Sequence, residues 1–137
     1  MWFEVKIKRY DGEQDSVISE GFIFDAENWS HAEQQIFKHA EENGFVDTKI
    51  ISIKRANLDG IQNYTTGEEW LRVVIRIMDI DSVKEKYIKL NYLILADDID
   101  QAIHRTLEST DADKVRDILK VEFSNIVEVI KNNHEDN

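Results

Sequence analysis

The chain has 137 residues, 42% of them hydrophobic, and a net charge of −11 from 28 acidic and 17 basic side chains. That apolar share suffices for a packed interior and excludes wholesale disorder; its short runs exclude a membrane-spanning helix, and the acidity argues against electrostatic wrapping of duplex nucleic acid. Cysteine and proline are absent, which excludes disulfides, thiolate metal sites and stiff proline spacers.

The first element is Trp2–Arg9, where Phe3, Val5 and Ile7 alternate with Glu4, Lys6 and Lys8 in the two-residue period of a half-buried strand. Asp11-Gly12 supplies turn chemistry, and Gly21–Phe24 reads as the returning strand. Ser30 and Glu33 have the spacing of a capping box, opening a helix with Ala32, Ile36, Phe37 and Ala40 on one face and a stop near Gly44. Lys49–Lys54 is expected to close the unit as a strand.

The pattern then restarts. Trp70–Arg76 overlays the first strand at an offset of 68, pairing Trp2 with Trp70 and Phe3, Val5 and Ile7 with Leu71, Val73 and Ile75. Tyr92–Ala96 overlays Phe22–Ala26 at an offset of 70, and Asp98 or Asp100 is expected to cap a second helix. Asp111–Leu119 is expected to add a short helix, and Phe123–Ile130 to be the last strand, offset by 76. The expected fold is α+β: two tandem ββαβ repeats forming antiparallel-rich sheet with helices packed on one face. The repeats are expected at 1–56 and 70–131, joined by a linker at 57–69 and followed by a loose tail at 132–137. Because some 60 residues bury only a marginal core, the two are expected to share one domain.

The opening Met1-Trp2-Phe3-Glu4-Val5-Lys6-Ile7-Lys8, the run Lys49–Ala56 and the second strand opened by Trp70 resemble an uncharacterised family of short bacterial and phage proteins, known only as a domain of unknown function. The resemblance covers nearly the whole chain and rests on strand patterns. It implies a bacterial or phage setting, but no activity and no site residues.

The residues themselves offer little catalytic chemistry. The four histidines, His31, His39, His104 and His134, form no His-x-x-x-His pair and read as surface residues. Asp97, Asp98 and Asp100 fit a helix start, and Asp79 and Asp81 a hairpin turn, better than a magnesium site. The Asp111/Asp113 pair lacks the glycine and distal glutamate of a calcium loop. Glu4-x-Lys6 lacks the preceding strand aspartate that a metal nuclease needs, and single glycines build no phosphate-cradling loop. No catalytic residue, metal ligand or cofactor is therefore assigned, and an enzyme is not expected.

Alternation puts Trp2, Lys6 and Lys8, with Trp70, Arg72 and Arg76, on the strand faces turned away from the apolar side. Tryptophan beside cations suits a protein interface, a homo-oligomer contact, or stacking of a single-stranded nucleic acid or nucleotide. The expected function is a non-enzymatic interaction protein, phage- or mobile-element-associated, that engages a protein partner through its acidic surface or its sheet face. The N-terminus has neither the basic flank nor the apolar stretch of a secretory signal, and a cytoplasmic location is expected. The alternative is a nucleic-acid or nucleotide binder on the Trp2/Trp70 face.

Overall fold

The computed structural model describes residues 1–63, 66–79, 86–110 and 113–131. Expectations for Asp81, Asp111, His134, the Asp79 side chain and the 132–137 tail lie outside the described residues. Among those described, the order is β1 (Trp2–Asp11), β2 (Ser16–Asp25), α1 (Trp29–Glu42), β3 (Val46–Arg55), β4 (Gly60–Gln62), β5 (Glu69–Asp79), β6 (Lys86–Ala96), α2 (Ile99–Ser109), β7 (Val115–Phe123) and β8 (Ile126–Ile130). The fold is α+β, with two four-stranded sheets in the orders β3-β1-β2-β8 and β4-β6-β5-β7.

Contacts divide the chain into two compact units, Met1–Ala56 with Asn125–Asn137, and Asn57–Ser124. The first core joins Phe3, Val5 and Ile7 of β1 to Phe22 and Phe24 of β2 and Ala32 and Ile36 of α1. In the second, Leu71, Val73 and Ile75 meet Ile94, Ala96 and Ala102. Burying each large side chain of these sets stabilises its unit by about 1.5–3 kcal/mol. The alternation read along β1 and β5 thus selects the face that each helix covers.

Each sheet is completed by a strand from the other repeat. β4 follows the first repeat along the chain yet runs parallel to β6, with Gly60 opposite Tyr92; β8 follows the second repeat yet runs parallel to β2, with Gly21 opposite Ile126. Both junctions rely on a glycine. A Cβ on Gly60 would lie 2.8 Å from the Tyr92 ring, and one on Gly21 3.0 Å from the Ile126 side chain. The repeat is therefore ββαββ, and residues 60–62, expected within a linker, are a sheet strand.

Four further expectations are corrected. Among the described residues of the helix expected at Asp111–Leu119, Val115 onward belong to strand β7 (Val115–Phe123), and the strand expected at Phe123–Ile130 is split between β7 and β8. β7 is the counterpart of β3: Val5 pairs with Ile53, and Val73 with Val121. The end of the second repeat therefore follows the offset of 68, not 76. Helix α1 is capped by Asn28, whose side chain accepts from the His31 N–H at 2.8 Å, so Ser30 lies inside the helix. Phe37, expected on the buried face, is 49% exposed, and the core positions are Ala32, Ile36 and Ala40. In α2 the cap is Asp98, which accepts from Gln101 N–H at 2.7 Å.

Candidate functional site

β1 and β5 are central strands with matching neighbours, and each turns its even-numbered residues away from its helix. The six side chains expected to form one face are divided between the two units: Trp2, Lys6 and Lys8 in the first, Trp70, Arg72 and Arg76 in the second. Trp2 is half-buried, whereas Trp70 is only 6% exposed, so its ring offers little surface for stacking. The backbone carbonyls of both tryptophans are used alike, Trp2 accepting from Ala56 N–H at 2.9 Å and Trp70 from Ser124 N–H at 3.0 Å.

The cations of the two faces sit in different surroundings. In the first unit Glu4 is 2% exposed, with Lys54 Nζ 3.5 Å from its carboxylate. Lys6 and Lys8 beyond it are exposed, and Lys8 stands directly opposite Lys49 on β3. Among the described residues none of these last three lysines meets a carboxylate. In the second unit Arg76 stands directly opposite Asp117 on β7 and forms a salt bridge with it. Its guanidinium lies 4.9 Å from the centroid of the Tyr87 ring, a stacking distance for a cation on an aromatic face.

Two tyrosines have raised pKa values. Tyr10 donates its hydroxyl to Asp15, and that bond, followed by desolvation and the Asp11 charge, holds its pKa above the ordinary tyrosine value. For Tyr92 the cause is burial first and the Asp59 charge second. Both therefore keep their protons at neutral pH. Among the described residues no three His, Asp or Glu side chains are grouped as metal ligands. Asp98 is engaged as a helix cap and Asp97 accepts from Glu68 N–H at 3.0 Å. No helix of the described residues is long and apolar enough to cross a membrane.

Sequence reasoning missed four residues that the fold makes conspicuous. Trp29, 52% exposed on the first turn of α1, donates its indole N–H to the Ile53 carbonyl on edge strand β3 at 3.2 Å. Phe37 lies eight residues on, so the two exposed rings share one helix face. His39, read as a surface residue, is instead ringed by Phe22, Phe24 and Phe45 at centroid distances of 5.1–6.1 Å and faces Glu128 at 3.4 Å. Lys49 was visible as a strand residue, but only the register places it against Lys8.

No curated protein and no solved structure matches the chain. A family model, that of a domain of unknown function (DUF4494), matches residues 1–132, and the chain belongs to that family.

Proposed function

We propose that this chain is a non-enzymatic interaction protein of the cytoplasm, in a phage or mobile-element setting, that engages a protein partner. The observation that carries the reading is that each unit exposes apolar side chains on its helix and on its edge strand, with Trp29 matched by Ile99 and Ile51 by Leu119. In the first unit Trp29 and Phe37 are exposed on α1, and Val46 and Ile51 of edge strand β3 are exposed on the sheet face turned away from that helix; in the second, Ile99 on α2 and Ile118 and Phe123 of edge strand β7 are exposed on the helix side and Leu119 on the other. Ile51 and Leu119 occupy the same bulge at the offset of 68, so the exposure recurs at equivalent places. Exposed aromatic anchors next to unpaired edge groups suit a partner that adds an extended apolar segment to the edge. The net charge of −11 favours a segment with basic flanks. The family resemblance to short bacterial and phage proteins supports the setting. The buried ring of Trp70 weighs against nucleic-acid stacking on a Trp2/Trp70 face.

A photo-crosslinking amino acid placed at Phe37, at Phe123, or at the exposed turn residue Gln14 tests the reading in producing cells. A discrete heterologous adduct from positions 37 and 123 but not 14 is the expected result. Adducts of twice the chain mass, equal labelling from all three positions, or no adduct would contradict it.

A further inference from the structure

The two units place different chemistry on the same lattice of backbone positions. At an offset of 68, Lys8 corresponds to Arg76 and Lys49 to Asp117; at 70, Val17 corresponds to Tyr87. The registers agree in detail. Lys8 lies opposite Lys49 and Arg76 opposite Asp117, with ladder shifts between Lys6 and Ile7 in one sheet and between Val74 and Ile75 in the other. The second unit fills this place from its own side chains: a carboxylate on the cation and an aromatic ring over it.

In the first unit the positions equivalent to Asp117 and Tyr87 hold neither a carboxylate nor a ring, but Lys49 and Val17. Two lysines oppose each other, a cross-strand arrangement that destabilises a sheet unless an anion lies between them. Where the second unit has Tyr87, Val17 is 67% exposed. The result is a groove of about 610 Å³ lined by Lys8, Tyr10, Val17, Asp47, Thr48 and Lys49, within the size range of small-molecule sites. Tyr10 is half-buried with its hydroxyl held by Asp15.

We propose that this groove binds a phosphate monoester carried on a flat ring, of nucleoside monophosphate type. The phosphate replaces the carboxylate that Asp117 supplies in the other unit, and the ring replaces Tyr87. A phosphate monoester carries close to two negative charges at pH 7, which matches two facing lysines better than a single carboxylate does. Lysine suits a phosphate as a point charge. The apolar surface of Val17 and the ring of Tyr10 form the wall for the flat ring. The groove lies on the same edge strand as Val46 and Ile51, but small-molecule binding by the isolated chain is read without a protein partner, so the two proposals fail by different experiments.

Isothermal titration of the full chain with adenosine monophosphate, inorganic phosphate and adenosine tests it. Adenosine monophosphate is expected to bind saturably below about 1 mM, at least tenfold tighter than either fragment, and more weakly as salt rises. Lys49→Asp rebuilds the ion pair of the other unit and is expected to weaken binding at least tenfold while the amide spectrum stays folded. Lys8→Gln, a neutral change at an exposed strand position, is expected to weaken it likewise. No saturable binding of adenosine monophosphate, or wild-type affinity in both variants, would overturn the proposal. Adenosine binding as tightly as its monophosphate would overturn the anion half, and inorganic phosphate binding as tightly would overturn the ring half.

Discussion

The first and second units are two solutions built on one strand-and-helix frame. The first has an aromatic core, in which Phe22, Phe24 and Phe45 surround His39; where the first has Phe22, Phe24 and His39 the second has Tyr92, Ile94 and Ser109, and its buried core of Leu71, Val73, Ile75, Ile94, Ala96 and Ala102 is aliphatic. Equivalent helix positions Gln35 and Arg105 reach for equivalent carbonyls. Gln35 donates to the Asp25 carbonyl at 3.2 Å, and Arg105 donates to the Leu95 carbonyl at 2.6 Å and also to the Thr66 carbonyl and hydroxyl. On the outer faces one pair of facing residues is neutralised within the chain and the other is doubly positive. Alternation and bulges preserve the frame, because any slip of register would turn a core face to water. Charges on the outer face are under no such constraint and have diverged.

The largest expected effect separates the two cores. Phe22→Ala removes the centre of the aromatic set and is expected to cost the first unit about 3–5 kcal/mol, whereas Tyr92→Ala, at a half-buried site, costs the second roughly 2 kcal/mol. Hydrogen exchange reports each unit separately; equal losses at the two sites would break the contrast. Next come the helix anchors. Arg105→Leu is expected to destabilise the second unit by about 3 kcal/mol, since it strips a buried charge network from two carbonyls. Gln35→Leu is expected to cost under about 1 kcal/mol, because it also removes the buried, unpartnered Oε1 of Gln35. Urea unfolding measures both, and comparable costs would mean that the two anchors are equivalent after all. The smallest effect concerns the outer charges: Lys49→Asp should raise stability by about 0.5 kcal/mol and Asp117→Lys lower it by a similar amount. Paired thermal melts at low salt would show this, and shifts of the same sign in both variants would contradict it.

Some of this was legible in the sequence for definite reasons. β1 and β5 were clear because Phe3, Val5, Ile7 and Leu71, Val73, Ile75 keep strict alternation, and α2 because Asp98 precedes it as a helix cap. β7 was misread as helix because its bulge places Ile118 and Leu119 side by side, and with Val115 these fall at helix-like spacing. The doublet Ile50-Ile51 in β3 marks the same bulge 68 residues earlier. β4 escaped notice because three residues carry no periodicity, and only its pairing with β6 makes it a strand. Lys6 and Lys8 are exposed on β1, as its alternation implies. Lys49 could not be matched to Lys8, because two ladder irregularities intervene and alternation alone names no cross-strand partner. The burial of Trp70 was equally invisible, since its strand position is the same as that of half-buried Trp2.

The measurement that tests the contrast most directly is a titration of the isotopically labelled full chain with adenosine monophosphate, followed at the backbone amides of both units. The account predicts saturable shifts at Lys8, Tyr10, Val17 and Asp47–Lys49, with Arg76, Tyr87 and Asp117 unmoved because their own side chains already fill that place. Matching shifts in both units, or none in the first, would contradict it.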